Sequence, residues 1–187
     1  LRGAASGIGA PGARVVAKPT GGRALAEAAG NVGAVRVLIA ESDLVGSVIT
    51  APVVDALASA VDLVRPIAIL IPASIEGRDA AARLAVRIGA ALAVDAVGIE
   101  RDDEGVVIRH SVYGGGYDVV SAPTFGAPVV TVRIGAIDAR AAAAAPQIVE
   151  LSVALSALPI ATVESFEPAV VATDRPELRG AGRVVSG

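Results

Sequence analysis

Through its first hundred residues the sequence alternates short apolar runs with segments of helical period, and this alternation constrains the fold more than any other feature. Arg14 to Ala17 is a short strand pattern, Thr20 to Ala29 a small Ala-rich helix closed by Gly30, and Val35 to Ala40 an apolar run of strand length. From Thr50 the period changes: Val54, Leu57, Val61 and Val64 recur on one helical face, and Asp55, Ser59 and Asp62 fall on the other. Pro52 suits the first turn of that helix, where its missing N–H leaves no bond unmade. Ile67 to Ile71, ended by Pro72, has the pattern of a strand buried on both faces of a parallel sheet. In the helix that follows, Ala80, Leu84 and Ile88 share the buried face, Asp79 and Arg83 are spaced to pair, and Gly89 supplies the stop. Ala91 to Glu100 returns as a strand. The order predicts an α/β fold: a mostly parallel sheet with crossover helices, in the three-layer manner of nucleotide-binding folds.

Beyond Glu100 the pattern predicts antiparallel additions. Arg101 to Gly105 is an acidic turn, read as a solvated hairpin tip, and Val106 to Tyr113 alternates, with Val106, Ile108, His110 and Val112 on one face. Pro128 to Ile134 alternates similarly. Ala141 to Ala145, before Pro146, reads as a surface turn or short helix.

Composition excludes several classes of function. A chain of 187 residues, 53% hydrophobic, can bury a core as one large domain, or one domain and a tail, and no window reaches the roughly 18 uninterrupted apolar residues of a spanning helix. A net charge of −3 with 2% aromatic residues gives neither the basic surface nor the stacking platforms that nucleic acid needs. The absence of cysteine removes disulfides, thiol catalysis and zinc-thiolate sites, and fits a reducing compartment. No secretory leader pattern is present at the start, and Leu1 to Ala4, without an initiator Met, reads as helix entered midway, so an incomplete N-terminus is expected.

Few residues suggest chemistry. Gly7 to Gly12 spells G-x-G-x-x-G, but such a loop binds pyrophosphate only between a strand and a helix, and Pro11 interrupts the helix it would need. His110 is the only histidine. Its neighbour Ser111 points to the opposite face of the strand, so the two form no nucleophile-base pair, and a half-buried structural role is expected. Tyr113-Gly-Gly-Gly-Tyr117 permits close approach of a ligand or of another backbone, and a hairpin turn explains it equally well. Glu76 and Asp79 suit the positive end of a helix dipole, and Arg78 beside them is a candidate to face a partner. These residues contain no catalytic set and no metal site.

The runs Glu76 to Val97, Ser111 to Tyr117, Val129 to Ala136 and above all Asp174 to Gly187 (DRPELRGAGRVVSG), with Ala40 to Leu57 of similar texture, resemble the α subunit of electron transfer flavoprotein in order and spacing. The resemblance implies an N-terminal α/β domain over residues 1–172, then a linker and the first strand (Val184, Val185) of a truncated FAD-binding domain over residues 173–187. It implies that Ser186 and Gly187 open a glycine-rich loop for FAD, whose pyrophosphate would meet bared N–H groups and a helix N-terminus. FAD is then expected in the full-length protein and not on these residues alone. An αβ heterodimer is implied, with AMP in the β subunit, acyl-CoA dehydrogenases or similar flavin enzymes as donors, as in fatty acid β-oxidation, and a membrane quinone oxidoreductase as acceptor. The location implied is the bacterial cytoplasm or the mitochondrial matrix. The first domain would pack on the β subunit and carry no catalytic residue, the flavin performing the redox step. The family normally opens with a strand and a helix, of which a helix remnant precedes Ala10, so a sheet with one edge strand fewer is expected. A free-standing nucleotide-binding module resembling universal stress proteins is the alternative, and it requires a phosphate loop after a strand. A hydrolase, third, requires a nucleophile-base pair.

Overall fold

The computed structural model describes residues 2–17, 19–156, 160–168, 178 and 181–186. The elements in order are α1 (Arg2–Ile8), β1 (Gly12–Ala17), α2 (Gly22–Asn31), β2 (Arg36–Glu41), α3 (Ala51–Val64), β3 (Ile69–Pro72), α4 (Ile75–Ile88), β4 (Leu92–Arg101), β5 (Val106–Val112), β6 (Tyr117–Ser121), β7 (Val129–Val132) and β8 (Gln147–Glu150). The fold is α/β. One sheet is parallel, in the order β1-β2-β8, and the second runs β3-β7-β4-β5-β6, parallel through β4 and antiparallel beyond it.

Side-chain alternation builds the layers. Ile69 and Ile71 of β3 and Val129 of β7 pack against Ala58 of α3 and Ala81, Leu84 and Ala85 of α4. Val130 and Val132 of β7 point the other way, and they meet Ala4 and Ile8 of α1 with Ala96, Ile99, Val106 and Ile108. Helices therefore cover both faces of the five-stranded sheet's parallel part. Around β2, Val37 and Ile39 pack on Ala26 and Ala29 of α2. The helix ends follow their sequence signals. Pro52 lies in the first turn of α3, Ser74 caps α4 by accepting from Gly77 N, and Gly89 ends α4 in the left-handed conformation at φ 63°. Arg83 and Asp79 pair at 2.8 Å across one turn.

Three expectations are corrected. Asp55, placed by helical period on the polar face, is 3% exposed: it pairs with Arg87 of α4 and accepts from the amide (3.0 Å) and hydroxyl (3.3 Å) of Ser156. The chain beyond β8 reaches α3 at Asp55 and covers that end of the predicted polar face, whereas Ser59 is part-buried and Asp62 stays exposed as the helical period predicts. Val129 to Val132 do not alternate between core and solvent; all four are buried, because β7 lies between β3 and β4 under helices on both sides. Ala141 to Ala145 is neither a turn nor a helix. It is an irregular approach to β8, fastened by Ala144 N to Gly30 O at 3.0 Å and followed by Gln147 N to Val35 O at 2.9 Å. β8 itself carries no distinctive sequence pattern.

Candidate functional surface

A nucleotide site would need a helix N-terminus with free N–H donors, and the chain supplies its own partners at two of them. At α2, Gly22 N donates to the carboxylate of Glu41 at 3.0 Å, so an anion of the protein already sits there. At α4, Ser74 accepts from both Gly77 N (to Oγ) and Arg78 N (to the carbonyl), and the turn is so close that a Cβ on Gly77 would stand 2.0 Å from the Pro72 carbonyl oxygen. Glu76 adds negative charge in that first turn. Gly7 to Gly12 spans the end of α1 and the start of β1, helix before strand, the reverse of the dinucleotide-binding order.

Next to the end of β7, Arg133 donates to Asp95 Oδ2 from Nε (3.1 Å) and a terminal nitrogen (2.7 Å), and to the Ser111 carbonyl at 2.8 Å. Hydrogen bonding from Arg133 holds the Asp95 carboxyl below its ordinary value against a weaker opposing push from desolvation; Arg78 assists through its charge. Asp95 has a left-handed backbone (φ 55°), and its N–H donates to the buried Thr131 hydroxyl at 2.8 Å. The cluster fixes the bend where β4 leaves the parallel sheet. Arg78, the candidate partner-facing cation, is exposed.

His110 is half-buried, and its partner is Ser121, not Ser111. One ring nitrogen, Nδ1, lies 2.9 Å from the Val94 carbonyl, so it carries the proton; Nε2 then accepts from the Ser121 hydroxyl at 2.8 Å. The pairing Ile108↔Ser121 puts Ser121 diagonally across from His110 on one face. A hairpin register drawn from the Tyr113–Tyr117 turn is the signal that would have found it. With only a carbonyl behind the ring, the contact staples β4, β5 and β6 together, and it lacks the acidic orienter of a catalytic triad.

The arm that His110 staples ends in an open edge. β6 is last in its sheet, and Tyr117 to Val120 are exposed. Tyr113 (86% exposed) and Tyr117 (66%) meet edge to face, ring centres 5.8 Å apart, across a turn whose Gly114 and Gly115 have positive φ. Val119 and Val120 are bare along the strand, and Phe125 (76%) is bare in the loop beyond it. The chain has four aromatic residues, and three lie here in solvent instead of in the core. Exposed tyrosines beside an apolar edge that no strand pairs among the described residues, carrying one charge, Asp118, are features of a surface made to be covered.

Ser186 is exposed and in irregular chain, and Gly187 lies outside the described residues, as do Asp174 to Glu177 of the linker. Val184 and Val185, read as the start of a strand, are exposed and in no strand. A single exposed hydroxyl is no cradle for a flavin. Among the described residues no helix is long and apolar enough to cross a membrane, and no cluster of His, Cys, Asp and Glu could hold a metal ion.

The family model of the electron transfer flavoprotein domain matches residues 3–156. The chain is similar to the electron transfer flavoprotein subunit alpha of Mycobacterium leprae (strain TN), at 38% identity over 98% of this chain and 57% of that protein. The Mycobacterium tuberculosis (strain H37Rv) subunit alpha is 40% identical over 82% of this chain and 48% of its own length, and that of Syntrophomonas wolfei 34% identical over 89% and 52%. The chain thus spans about half the length of the relatives it matches.

Proposed function

Because the chain belongs to the electron transfer flavoprotein domain family, we propose that it is the N-terminal domain of an electron transfer flavoprotein α subunit, a scaffold that packs against a β subunit in an αβ heterodimer. The observation that carries this reading is the β6 edge, where Tyr113, Tyr117, Val119 and Val120 are left in solvent beside backbone that no strand pairs among the described residues. Tyrosine offers large contact area at low entropic cost, and an edge strand offers a row of donors and acceptors. Flavin chemistry belongs to a further domain, in which Ser186 and Gly187 begin the FAD loop; AMP belongs to the β subunit. Electrons would enter from acyl-CoA dehydrogenases or similar flavin enzymes, as in fatty acid β-oxidation, and leave to a membrane quinone oxidoreductase, in the bacterial cytoplasm or the mitochondrial matrix. Internal caps at α2 and α4 support a scaffold in place of a nucleotide site.

The test is co-expression of the natural full-length protein with its β subunit. A yellow one-to-one complex is expected, and Tyr113→Ala with Tyr117→Ala should release the β subunit. A colourless monomer that binds ATP would overturn the reading.

A further inference from the structure

β4 serves its two neighbours in turn. Its first half pairs with β7 (Leu92↔Val129, Ala93↔Val130) and its second half with β5 (Gly98↔Arg109, Ile99↔Ile108), and both ladders slip in register beside Ala96, the residue paired on both sides. The β4–β5 ladder ends at Ala96↔His110, and beyond it Ser111 and Val112 pair with β6 alone. The two strands therefore form a fork. One prong, Leu92 to Asp95, stays in the parallel sheet; the other runs with β6 and carries the Tyr113–Tyr117 turn.

Packing fixes the closed end of the fork and not the open one. Ile99, Val106 and Ile108 lie in a core with Ala4 and Ile8 of α1. On the tyrosine prong none of residues 109–121 is buried. A segment with so few buried apolar contacts takes its position from its hydrogen bonds. Among the described residues no backbone bond joins Ser111 or Val112 to β4, and two side chains fill that place. The His110 ring donates from Nδ1 to the Val94 carbonyl at 2.9 Å and accepts at Nε2 from Ser121 at 2.8 Å, so it spans from one prong to the far strand of the other. Arg133 enters from the end of β7 and donates to Asp95 Oδ2 and to the Ser111 carbonyl, at 2.7 and 2.8 Å from one terminal nitrogen. The guanidinium is planar and rigid, so bonds to both prongs fix their separation. Val94 and Asp95 are adjacent, as are His110 and Ser111. The two pins thus act on neighbouring rungs, where the ladder itself has stopped.

We propose that His110 and Arg133 are positioning residues for the β subunit: they hold the fork at one opening and so present the Tyr113–Tyr117 turn and β6 in the geometry that the subunit binds. This rests on the β6 docking surface described above. Tyr113 lies three residues beyond the last β4–β5 pair, a lever of about 10 Å, so each 10° of splay carries the rings by about 2 Å. Shifts of that size undo the fit of an aromatic anchor. If removing the pins leaves the competent opening populated at about a tenth, apparent affinity falls about tenfold with every contact residue still present.

The natural full-length protein tests this with two readouts. Spin labels at Val86→Cys on α4 and Val120→Cys on β6 sit on exposed positions, and residues 1–187 hold no cysteine of their own. In the free protein their distance distribution should be narrow, and at least about twice as broad in His110→Ala with Arg133→Gln. Without labels, the same double variant should bind the β subunit about tenfold more weakly by calorimetry, while amides of β2 and α3 exchange as in the wild type. His110→Gln, whose amide can donate to Val94 and accept from Ser121, should recover most of the affinity in the presence of Arg133. Arg133→Lys keeps the charge but loses the rigid fork, and it carries the same test at smaller amplitude should the double variant not fold. An unbroadened distribution without the pins would overturn their role in the fork. A broadened one with unchanged affinity would overturn their role in docking. Wild-type affinity in Tyr113→Ala with Tyr117→Ala would overturn the docking surface and the coupling with it, and the label distances would still decide the fork.

Discussion

Replacing Asp55 by alanine should weaken the fold by far more than its helical position suggests. The carboxylate joins three segments: α3, which carries it, α4 through Arg87, and the crossing chain through Ser156. Stranding a fully buried charge costs about 3–5 kcal/mol, but the Arg87 side chain is 30% exposed and can rehydrate in part. The Ser156 donors lose their acceptor, at about 1 kcal/mol after water substitutes. A total near 2–3 kcal/mol follows. With a urea slope of about 2 kcal/mol/M, the unfolding midpoint should fall by about 1–1.5 M. Asp55→Asn, which keeps an acceptor for Ser156, should lose about half as much. In a cycle with Arg87→Ala the double variant should be more stable than the sum of the single losses, by about 1 kcal/mol. Acid supplies a separate check. Burial pushes the Asp55 carboxyl upward, and hydrogen bonds from Ser156 and Arg87 more than reverse it, leaving its pKa below the ordinary value. A depressed carboxyl gives its full stabilisation above the unfolded-state pKa of about 3.9 and loses it as pH falls through the lower folded value. Wild type and Asp55→Asn should therefore differ fully at pH 7 and converge below about pH 4. A midpoint shift in Asp55→Ala under about 0.3 M, with additive behaviour in the cycle, would refute the reasoning.

Tyr113→Ala and Tyr117→Ala should leave the melting temperature nearly unchanged, both rings being exposed, while each weakens binding of the β subunit about tenfold or more by calorimetry; a stability loss with unchanged affinity would count against the interface. Gly77→Ala forces a methyl to within 2.0 Å of the Pro72 carbonyl unless α4 shifts, and urea unfolding should register a loss of about 1–3 kcal/mol. Thr131→Val removes the buried acceptor of the Asp95 N–H, so a similar loss of about 1–3 kcal/mol is expected, with faster amide exchange at Asp95; unchanged exchange there would contradict the bond.

The parts of the fold that sequence made legible are those written in local periodicity. The apolar runs of β2 and β3, the i, i+4 face of α4 with its Gly89 stop and the β4–β5 hairpin all report short-range physics, and the structure has each of them. Long-range placement was illegible. Asp55 looks like a solvent residue because helical period knows only the helix, and its burial depends on Ser156, a hundred residues away. β7 enters between β3 and β4 after both have been made, so its burial on two faces cannot be read from its own four residues. His110 shows the same limit at shorter range. Its partner Ser121 depends on hairpin register, which sequence neighbours such as Ser111 do not reveal. The aromatic edge was half legible: the glycine turn stood out, whereas the exposure of Tyr113 and Tyr117 depends on β6 ending its sheet.

The central claim, that this domain is a scaffold covered by a partner along β6, is tested most directly by comparing amide exchange of the full-length protein alone and with its β subunit. The account predicts slowed exchange through Tyr113 to Ser121, with the helix N-termini of α2 and α4 unchanged. A complex that leaves that stretch exchanging as in the free protein, its protection falling elsewhere, would contradict it.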